Sequence, residues 1–479
     1  MKPWYMPEVQ LLLWAVALLI LEACRPRTGA KIMGRLASLG VVLVLAGTFC
    51  PYMSGPAEIH FEWSNLYYVD PLAVFFKRFF LVTLIVVLRM GEEFVDELPL
   101  GRAEFLILPL FPAIGMMLLA SAYDFMTVFA ALELVTISFY ILVAMQRNRA
   151  AALEAGVKYL VMGALSTGFL VYGIAFLFGS AGGTSFTQVT QSLASQPLSL
   201  GMLLALVLIV VGLGFKISAV PFHAWAPDVY QGAPTPVTAF LAVGSKAAGF
   251  AVLLRILCFD ALRHDSLVPY IGSLLGLLAA MTVVLGNFAA LPQRNLKRLL
   301  AYSSIGHAGF ILMALSCQSV RGVDAVLIYL ILYMLAALLA FFVITVVSRQ
   351  VGGEELPHYT GLARRSPLAA FGLMIALISM AGIPPLAGFV GKLAVFAAVW
   401  EGKKYLLLVL GILSAAAGLY YYLGVVRAMY WNEPAQDGVK VKLSCSASLL
   451  IWILALSLIV LGFYQMPLGA VVRRVMGDF

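Results

Sequence analysis

Charge is what this 479-residue chain has least of: Asp, Glu, Lys and Arg together make 11%, against 62% hydrophobic residues and a mean hydropathy of +0.99. A soluble fold cannot hide that much apolar surface, so the composition excludes one and leaves an integral membrane protein. Cysteine is also sparse. The five, at positions 24, 50, 258, 317 and 445, have no CxxC and no paired Cys/His spacing. A zinc site, an iron–sulfur centre or a disulfide framework therefore lacks support. No nucleotide loop is present either. Gly388-Phe389-Val390-Gly391-Lys392 is followed by Leu393 where a phosphate loop needs Ser or Thr, and the segment GLGFK lacks the third glycine of a dinucleotide fingerprint. The early run LLLWAVALLILEA is not followed by an Ala-x-Ala-like cleavage site and is read as a first span rather than a signal. The formal net charge of +8 is not gathered on one soluble face, so nucleic acid is not an expected partner.

What the chain does have is a long series of apolar runs. Windows of about 20 residues give about fourteen spans, near 7–23, 33–50, 70–89, 103–121, 123–145, 153–179, 199–222, 236–259, 267–291, 295–317, 323–348, 366–400, 404–430 and 447–465. No connection is long enough for an extramembrane domain; the longest are near 51–69, 180–198, 349–365 and 431–446. The expectation is one integral membrane domain over 1–479. It comprises N-terminal helices (1–102), a first repeat (103–260), a second, inverted repeat (266–431) and a final helix (447–465).

Loop charge sets the orientation. Arg25, Arg27, Lys31 and Arg35, then Arg147 and Arg149, then Arg294, Lys297 and Arg298, then Arg364 and Arg365 fall in alternate connections. The positive-inside rule makes that side the cytoplasm. The opposite connections lack basic residues: Pro51 to Asp70 carries Glu58, Glu62 and Asp70, and Gly179 to Leu198 carries no charge. Both termini are thus expected to face outward.

Two spans are interrupted. The seventh runs into FKISAVPFHAWAPDVYQGAPTPVTAF, where Pro221, Pro227, Pro234 and Pro236 prevent a regular helix, and the twelfth is broken at Gly382-Ile383-Pro384-Pro385. Corresponding breaks in two halves are the signature of inverted-repeat transporters. The breaks are five spans apart, an odd offset that inverts the second unit, so spans four to eight and nine to thirteen are candidate repeats. The alternative is that proline simply kinks helices in a bundle.

Each break has its own lysine: Lys216 before the first and Lys392 after the second. With Glu133 and Lys246 they are ionisable groups inside otherwise apolar spans. Such a group costs about 2.5–3.5 kcal/mol to insert, so it usually faces the bundle interior and serves an ion or proton path. Glu133 is the obvious partner for Lys216, since moving a carboxylate near a buried lysine switches its protonation. The bland reading is a static ion pair that only fixes helix packing. Other residues are read more modestly. Glu154 and Lys158, four apart, suit an ordinary helical pair. His307, in AYSSIGHAGFILMAL, suits either a proton relay or a hydrogen-bonded core histidine. His60, His223, His264 and His358 have no metal-ligand spacing. Lys77 and Arg78 in the third span are read as snorkelling or facing a neighbouring subunit, and Arg255 likewise.

The words FKISAVPFHAWAPDVYQGAPTPVTAFLAVGSK, LPQRNLKRLLAYSSIGHAGFILMAL and MAGIPPLAGFVGK resemble the antiporter-like membrane subunits of respiratory complex I, over nearly the whole chain. Length, the VPFHAWAPDVYQGAPTPV wording and the expectation of no long lateral helix after the fourteenth span are nearest the N-type branch. The resemblance implies an all-α polytopic fold of about fourteen helices, with inverted five-helix repeats and two proton half-channels. It makes Glu133 the fifth-helix glutamate, Lys216 the seventh-helix lysine, Lys246 the eighth-helix connecting lysine and Lys392 the twelfth-helix lysine of a proton relay. His307 stands where sister subunits offer another polar group.

The implied function is proton translocation in the bacterial inner membrane, driven by NADH oxidation and quinone reduction. FMN, iron–sulfur clusters and quinone are then expected in partner subunits and no cofactor in this chain. Its expected neighbours are other complex I membrane subunits, sister antiporter-like subunits among them, and lipid. The alternative is a subunit of a multisubunit cation/proton antiporter without redox coupling.

Overall fold

The computed structural model describes residues 6–25, 29–49, 61–63, 66–195, 199–259, 268–433 and 440–476. Cys50, Glu58, His60 and His264 lie outside these, as do the side chains of Glu62 and Cys258. Thirteen of the described helices are long and apolar enough to cross a membrane. In chain order they are α1 (Pro7–Cys24), α2 (Ala30–Gly47), α3 (Pro71–Phe94), α4 (Arg102–Ser121), α5 (Phe125–Val143), α6 (Ala150–Ala181), α7 (Leu200–Ile217), α8 (Thr235–Leu257), α9 (Pro269–Ala290), α10 (Leu296–Leu315), α11 (Val320–Val351), α13 (Tyr405–Tyr430) and α14 (Cys445–Phe463). Between α11 and α13 lies α12, in two halves, Pro367–Ala381 and Ala387–Glu401, each too short to span alone.

Helix starts follow from local chemistry. Asp70 caps α3 by accepting from the Ala73 amide, Asp124 caps α5 at Met126 and Thr127, and Asn295 caps α10 at Arg298. Each such cap satisfies an orphan donor where water ends, an interaction worth about 1 kcal/mol.

The chain forms two compact units. Unit 1 comprises Met1–Ser218, Gly232–Ile271 and Arg474–Phe479; unit 2 comprises Ala219–Gln231 and Gly272–Arg473. Within unit 1 the most enclosed span is α8, whose apolar window is 100% buried, while α1 and α2 turn most of their surface outward at 28% and 33%. Within unit 2, α10 and α11 are each 89% buried, and α14 is 28% buried. The exposed apolar stripes on α1, α2 and α14 are the lipid-facing surfaces that the composition requires.

The helix lengths repeat. From α4 they run 20, 19, 32, a span broken after 18, and 23; from α9 they run 22, 20, 32, a broken span, and 26. The breaks thus fall at the fourth member of each series, where the proline clusters put them.

Some connections are more structured than the sequence suggests. The 180–198 stretch holds a helix at Phe186–Ser195, and the 51–69 stretch ends in a small antiparallel hairpin, Phe61–Trp63 with Tyr67–Val69. The 349–365 stretch folds into one-turn helices at Leu356–Tyr359 and Leu362–Arg365. These are short amphipathic or capping segments, below the length that a span search detects. After α14 comes an 11-residue helix, Met466–Met476.

Candidate functional site

In unit 1 the site begins on α5. Glu133 and Thr136 are three residues apart and share a helix face. The Thr167 hydroxyl on α6 donates to Glu133 Oε1 at 2.7 Å. Lys216 ends α7, 1% exposed, and its Nζ donates to Thr136 Oγ1 at 2.9 Å. Glu133 is thus near Lys216 without touching it: the lysine rests on a hydroxyl one turn from the carboxylate, and the carboxylate holds a second hydroxyl. Thr136 in turn donates to the Leu132 carbonyl at 2.6 Å, so its lone pairs are turned toward the lysine. Helix α7 stops right after Lys216 because Ser218 adopts a left-handed conformation, φ 58°, ahead of the proline cluster.

Lys246 is also in unit 1, 3% exposed, and directly follows a π-helical turn at Leu241–Ser245 inside α8. An extra residue in one turn rotates the helix beyond it and re-aims its side chains, which is why such turns collect at functional positions. Nothing in the periodicity of VTAFLAVGSK announced it.

In unit 2 the site is built around the α12 break. Gly382 sits at φ 81°, which favours glycine, and a Cβ there would lie 2.7 Å from Lys392 Cδ. Gly388 has no room for a side chain at all: its Cβ would be 1.7 Å from the Ser379 carbonyl oxygen. The two glycines let the halves of α12 overlap closely enough for Lys392, 6% exposed, to reach back and donate to the Ala381 carbonyl at 2.7 Å. That carbonyl lost its helical partner when α12 broke. The Lys392 ammonium also lies over the Phe310 ring, 5.2 Å from its centre.

Phe310 is one turn from His307 on α10. His307 is held from both nitrogens, Nδ1 by the Tyr329 hydroxyl at 2.8 Å and Nε2 by the Tyr422 hydroxyl at 3.0 Å. Tyr422 also bonds the Ser303 hydroxyl, and its neighbour Tyr421 donates to Asn287 Oδ1 at 3.1 Å. A small cavity of about 10 Å³ is lined by His307, Tyr329, Tyr333, Ser379, Gly388 and Gly391, the two glycines lying on the turn that carries Lys392. That is roughly the space one water needs.

The remaining ionisable residues sort differently from expectation. Glu154 and Lys158 form the ordinary helical pair, at 2.7 Å and largely exposed. Lys77 does not snorkel. It is fully buried against Glu8 at 3.0 Å and the Tyr67 hydroxyl at 2.7 Å. Arg78 donates to the Thr48 carbonyl at 2.5 Å and stacks on Phe49. Arg255, 1% exposed, binds Asp70 and the Ala120 carbonyl, each at 2.8 Å. These cations found partners inside the bundle because their carboxylates and carbonyls come from helices far away in sequence.

Threonine and tyrosine are the site residues that sequence reading passed over. Thr136, Thr167, Tyr329 and Tyr422 carry no charge and are unremarkable in a membrane helix; the i, i+3 spacing of Thr136 from Glu133 is a signal that only the position of Lys216 makes meaningful.

Comparison with known proteins matches residues 122–418 to the family described as NADH:quinone oxidoreductase/Mrp antiporter, TM. The chain belongs to this family. It is 39% identical to NADH-quinone oxidoreductase subunit N of Desulforamulus reducens, covering 98% of this chain and 97% of that one. The subunit N of Heliobacterium modesticaldum is 41% identical over 91% of this chain and 90% of its own. A chain of respiratory complex I from Thermus thermophilus has the same fold, with TM-score 0.80, 34% identity and 98% of each chain covered. Family membership and fold agree with the multi-pass, all-helical reading and with the antiporter-like resemblance.

Proposed function

We propose that this chain is a proton-translocating membrane subunit of an NADH–quinone oxidoreductase. It moves protons by way of Glu133, Lys216, Lys246 and Lys392, with His307 assisting beside Lys392. One observation carries the reading. At each helix break a buried lysine is held by neutral oxygens, a hydroxyl for Lys216 and a backbone carbonyl for Lys392, and not by a carboxylate in contact. A buried lysine in direct contact with a carboxylate is held charged unless that carboxylate takes up the proton itself. A lysine held by neutral acceptors keeps its hydrogen-bond partner whether charged or neutral, since an amine still donates, and so is suited to gaining and losing a proton.

In unit 1 the carboxylate of Glu133 biases that equilibrium from one turn away, and Thr136 passes the influence on. In unit 2 the same task falls to the His307–Tyr329–Tyr422 cluster and to the cavity beside it. Protons are moved here without redox chemistry in this chain; flavin, iron–sulfur clusters and quinone belong to partner subunits. Moving one charge against 100 mV takes about 2.3 kcal/mol, which electron transfer in those partners supplies. Both termini face the outer side, as the loop charges direct.

The test is proton uptake and NADH–quinone turnover in vesicles, normalised to assembled complex. Lys216→Met should stop transfer while keeping side-chain length, and Lys216→Arg should fail as well because guanidinium does not release its proton. Glu133→Asp should keep most activity and Glu133→Gln should slow proton loading. Near-normal pumping in both Lys216→Arg and Glu133→Gln ends the relay assignment. Flavin and iron–sulfur absorbance co-purifying with the chain supports the redox link over an antiporter without one. Reporter fusions after Arg149 and Arg365 should read cytoplasm, and one at Gly183 the outside.

A further inference from the structure

Among the buried acid–base clusters that the relay does not use, one precedes the stretch that matches the family, 122–418. Glu8 on α1, Tyr67 just before α3 and Lys77 on α3 lie together in unit 1, at 3%, 6% and 0% exposure. Their hydrogen bonds run in one direction. The Lys77 ammonium donates to the Tyr67 oxygen at 2.7 Å, and the Tyr67 hydroxyl donates to the two Glu8 oxygens at 3.2 and 3.1 Å. Lys77 and Glu8 also touch, at 3.0 Å. Burial first and the Glu8 charge second push the Tyr67 phenol up to about 12, so it stays protonated and able to bridge. The buried Ser121 hydroxyl, from the end of α4, lies against the same phenol. Asp70, which caps α3, is instead paired with Arg255, whose guanidinium also donates to the Ala120 carbonyl.

We propose that Glu8, Tyr67 and Lys77 form a further proton-holding site in unit 1, at the membrane face where α1 and α3 begin. The inference rests on the proton-translocating reading above. Lys77 passes a proton to the Tyr67 oxygen as Tyr67 passes its own to Glu8, leaving a neutral amine and a neutral acid with no change in total charge. Glu8 then releases its proton at the membrane face, and Lys77 takes up another, so one proton enters and one leaves. A clamp between α1 and α3 needs none of this, since apolar side chains of equal volume hold helices as well as a buried ion pair does.

The experiment compares Glu8→Gln/Lys77→Met with wild type in assembled complex in vesicles, reading protons moved per NADH oxidised. Replacing both charges by neutral groups of similar shape removes the cost of an unpaired ion, so a structural clamp predicts wild-type pumping. The proton-holding site predicts normal assembly with pumping lowered roughly tenfold or more. Wild-type pumping in the assembled double variant overturns the proposal. If the double variant does not assemble, Glu8→Asp takes its place: it retains the charge but withdraws the carboxylate by one methylene. Slowed pumping with normal assembly then supports the site, and wild-type pumping with a lowered Tm overturns it. Lys216→Met is the companion. If it too pumps normally, the translocation reading itself fails; if it is inactive while the double variant is normal, only this site falls.

Discussion

Units 1 and 2 each place a buried lysine at a helix break, yet they support it differently. Lys216 leans on a threonine hydroxyl with a glutamate one turn along the same helix, whereas Lys392 leans on a backbone carbonyl and an aromatic face, with an imidazole between two phenols nearby. The first is controlled by a charge at short range. The second is controlled by dipoles: a carbonyl freed by the break, the face of Phe310 and whichever way the His307 tautomer points. A carboxylate acts through Coulomb attraction that reaches several ångströms in a low-dielectric interior, so it need not touch the lysine. Dipoles act only in contact, which is why unit 2 needs the tight approach that Gly382 and Gly388 permit.

The comparison breaks most sharply at Lys392. Lys392→Met removes the lysine at the break, so pumping should fall at least about a hundredfold while the complex still assembles. Vesicle proton uptake checks it, and retained pumping would place the unit 2 relay elsewhere. Next in size is Thr136→Val in unit 1, which strips a charged donor of its acceptor. A hydrogen bond to a charged group is worth about 1.5–3 kcal/mol, so pumping should drop roughly ten- to a hundredfold, with Thr136→Ser close to normal. Normal pumping in Thr136→Val with a loss in Thr136→Ser would show that volume, not the hydroxyl, matters there.

Gly382→Ala probes the tight approach in unit 2. Left-handed backbone costs a non-glycine residue about 1–2 kcal/mol, and the new methyl group meets the Lys392 stem. Thermal inactivation should come several degrees earlier, with pumping reduced but not abolished. Tyr422→Phe should act more mildly still, about 1 kcal/mol or some fivefold in rate, because His307 keeps Tyr329. Smallest of all is Glu154→Gln, a half-solvated pair whose loss should leave pumping within about twofold, as exposed pairs are worth under 1 kcal/mol. A large effect there would move α6 into the relay.

Much of this was legible before any coordinates. Proline at Pro221 and at Pro384-Pro385 cannot continue a helix, so both breaks were visible, and charge inside an apolar run picked out Glu133, Lys216, Lys246 and Lys392. The hydroxyl and phenol partners were not visible. Thr136, Thr167, Tyr329 and Tyr422 are at home in any membrane helix, and their role depends on which helix stands opposite. The π turn before Lys246 was hidden for the same reason: nothing in local propensity distinguishes LAVGS from an ordinary turn.

Sequence alone thus determined which parts of the chain lie in the membrane, where helices must break and which residues carry charge there, because hydropathy, proline geometry and ionisation belong to single residues or short windows. Only the tertiary structure decided who holds whom. It put Lys216 on Thr136 and not on Glu133, drew Lys77 inward to Glu8 and Tyr67, and set His307 between two tyrosines. A hydrogen bond reaches about 3 Å, and what lies within that distance across two helices is fixed by how they cross, which no one stretch of sequence contains.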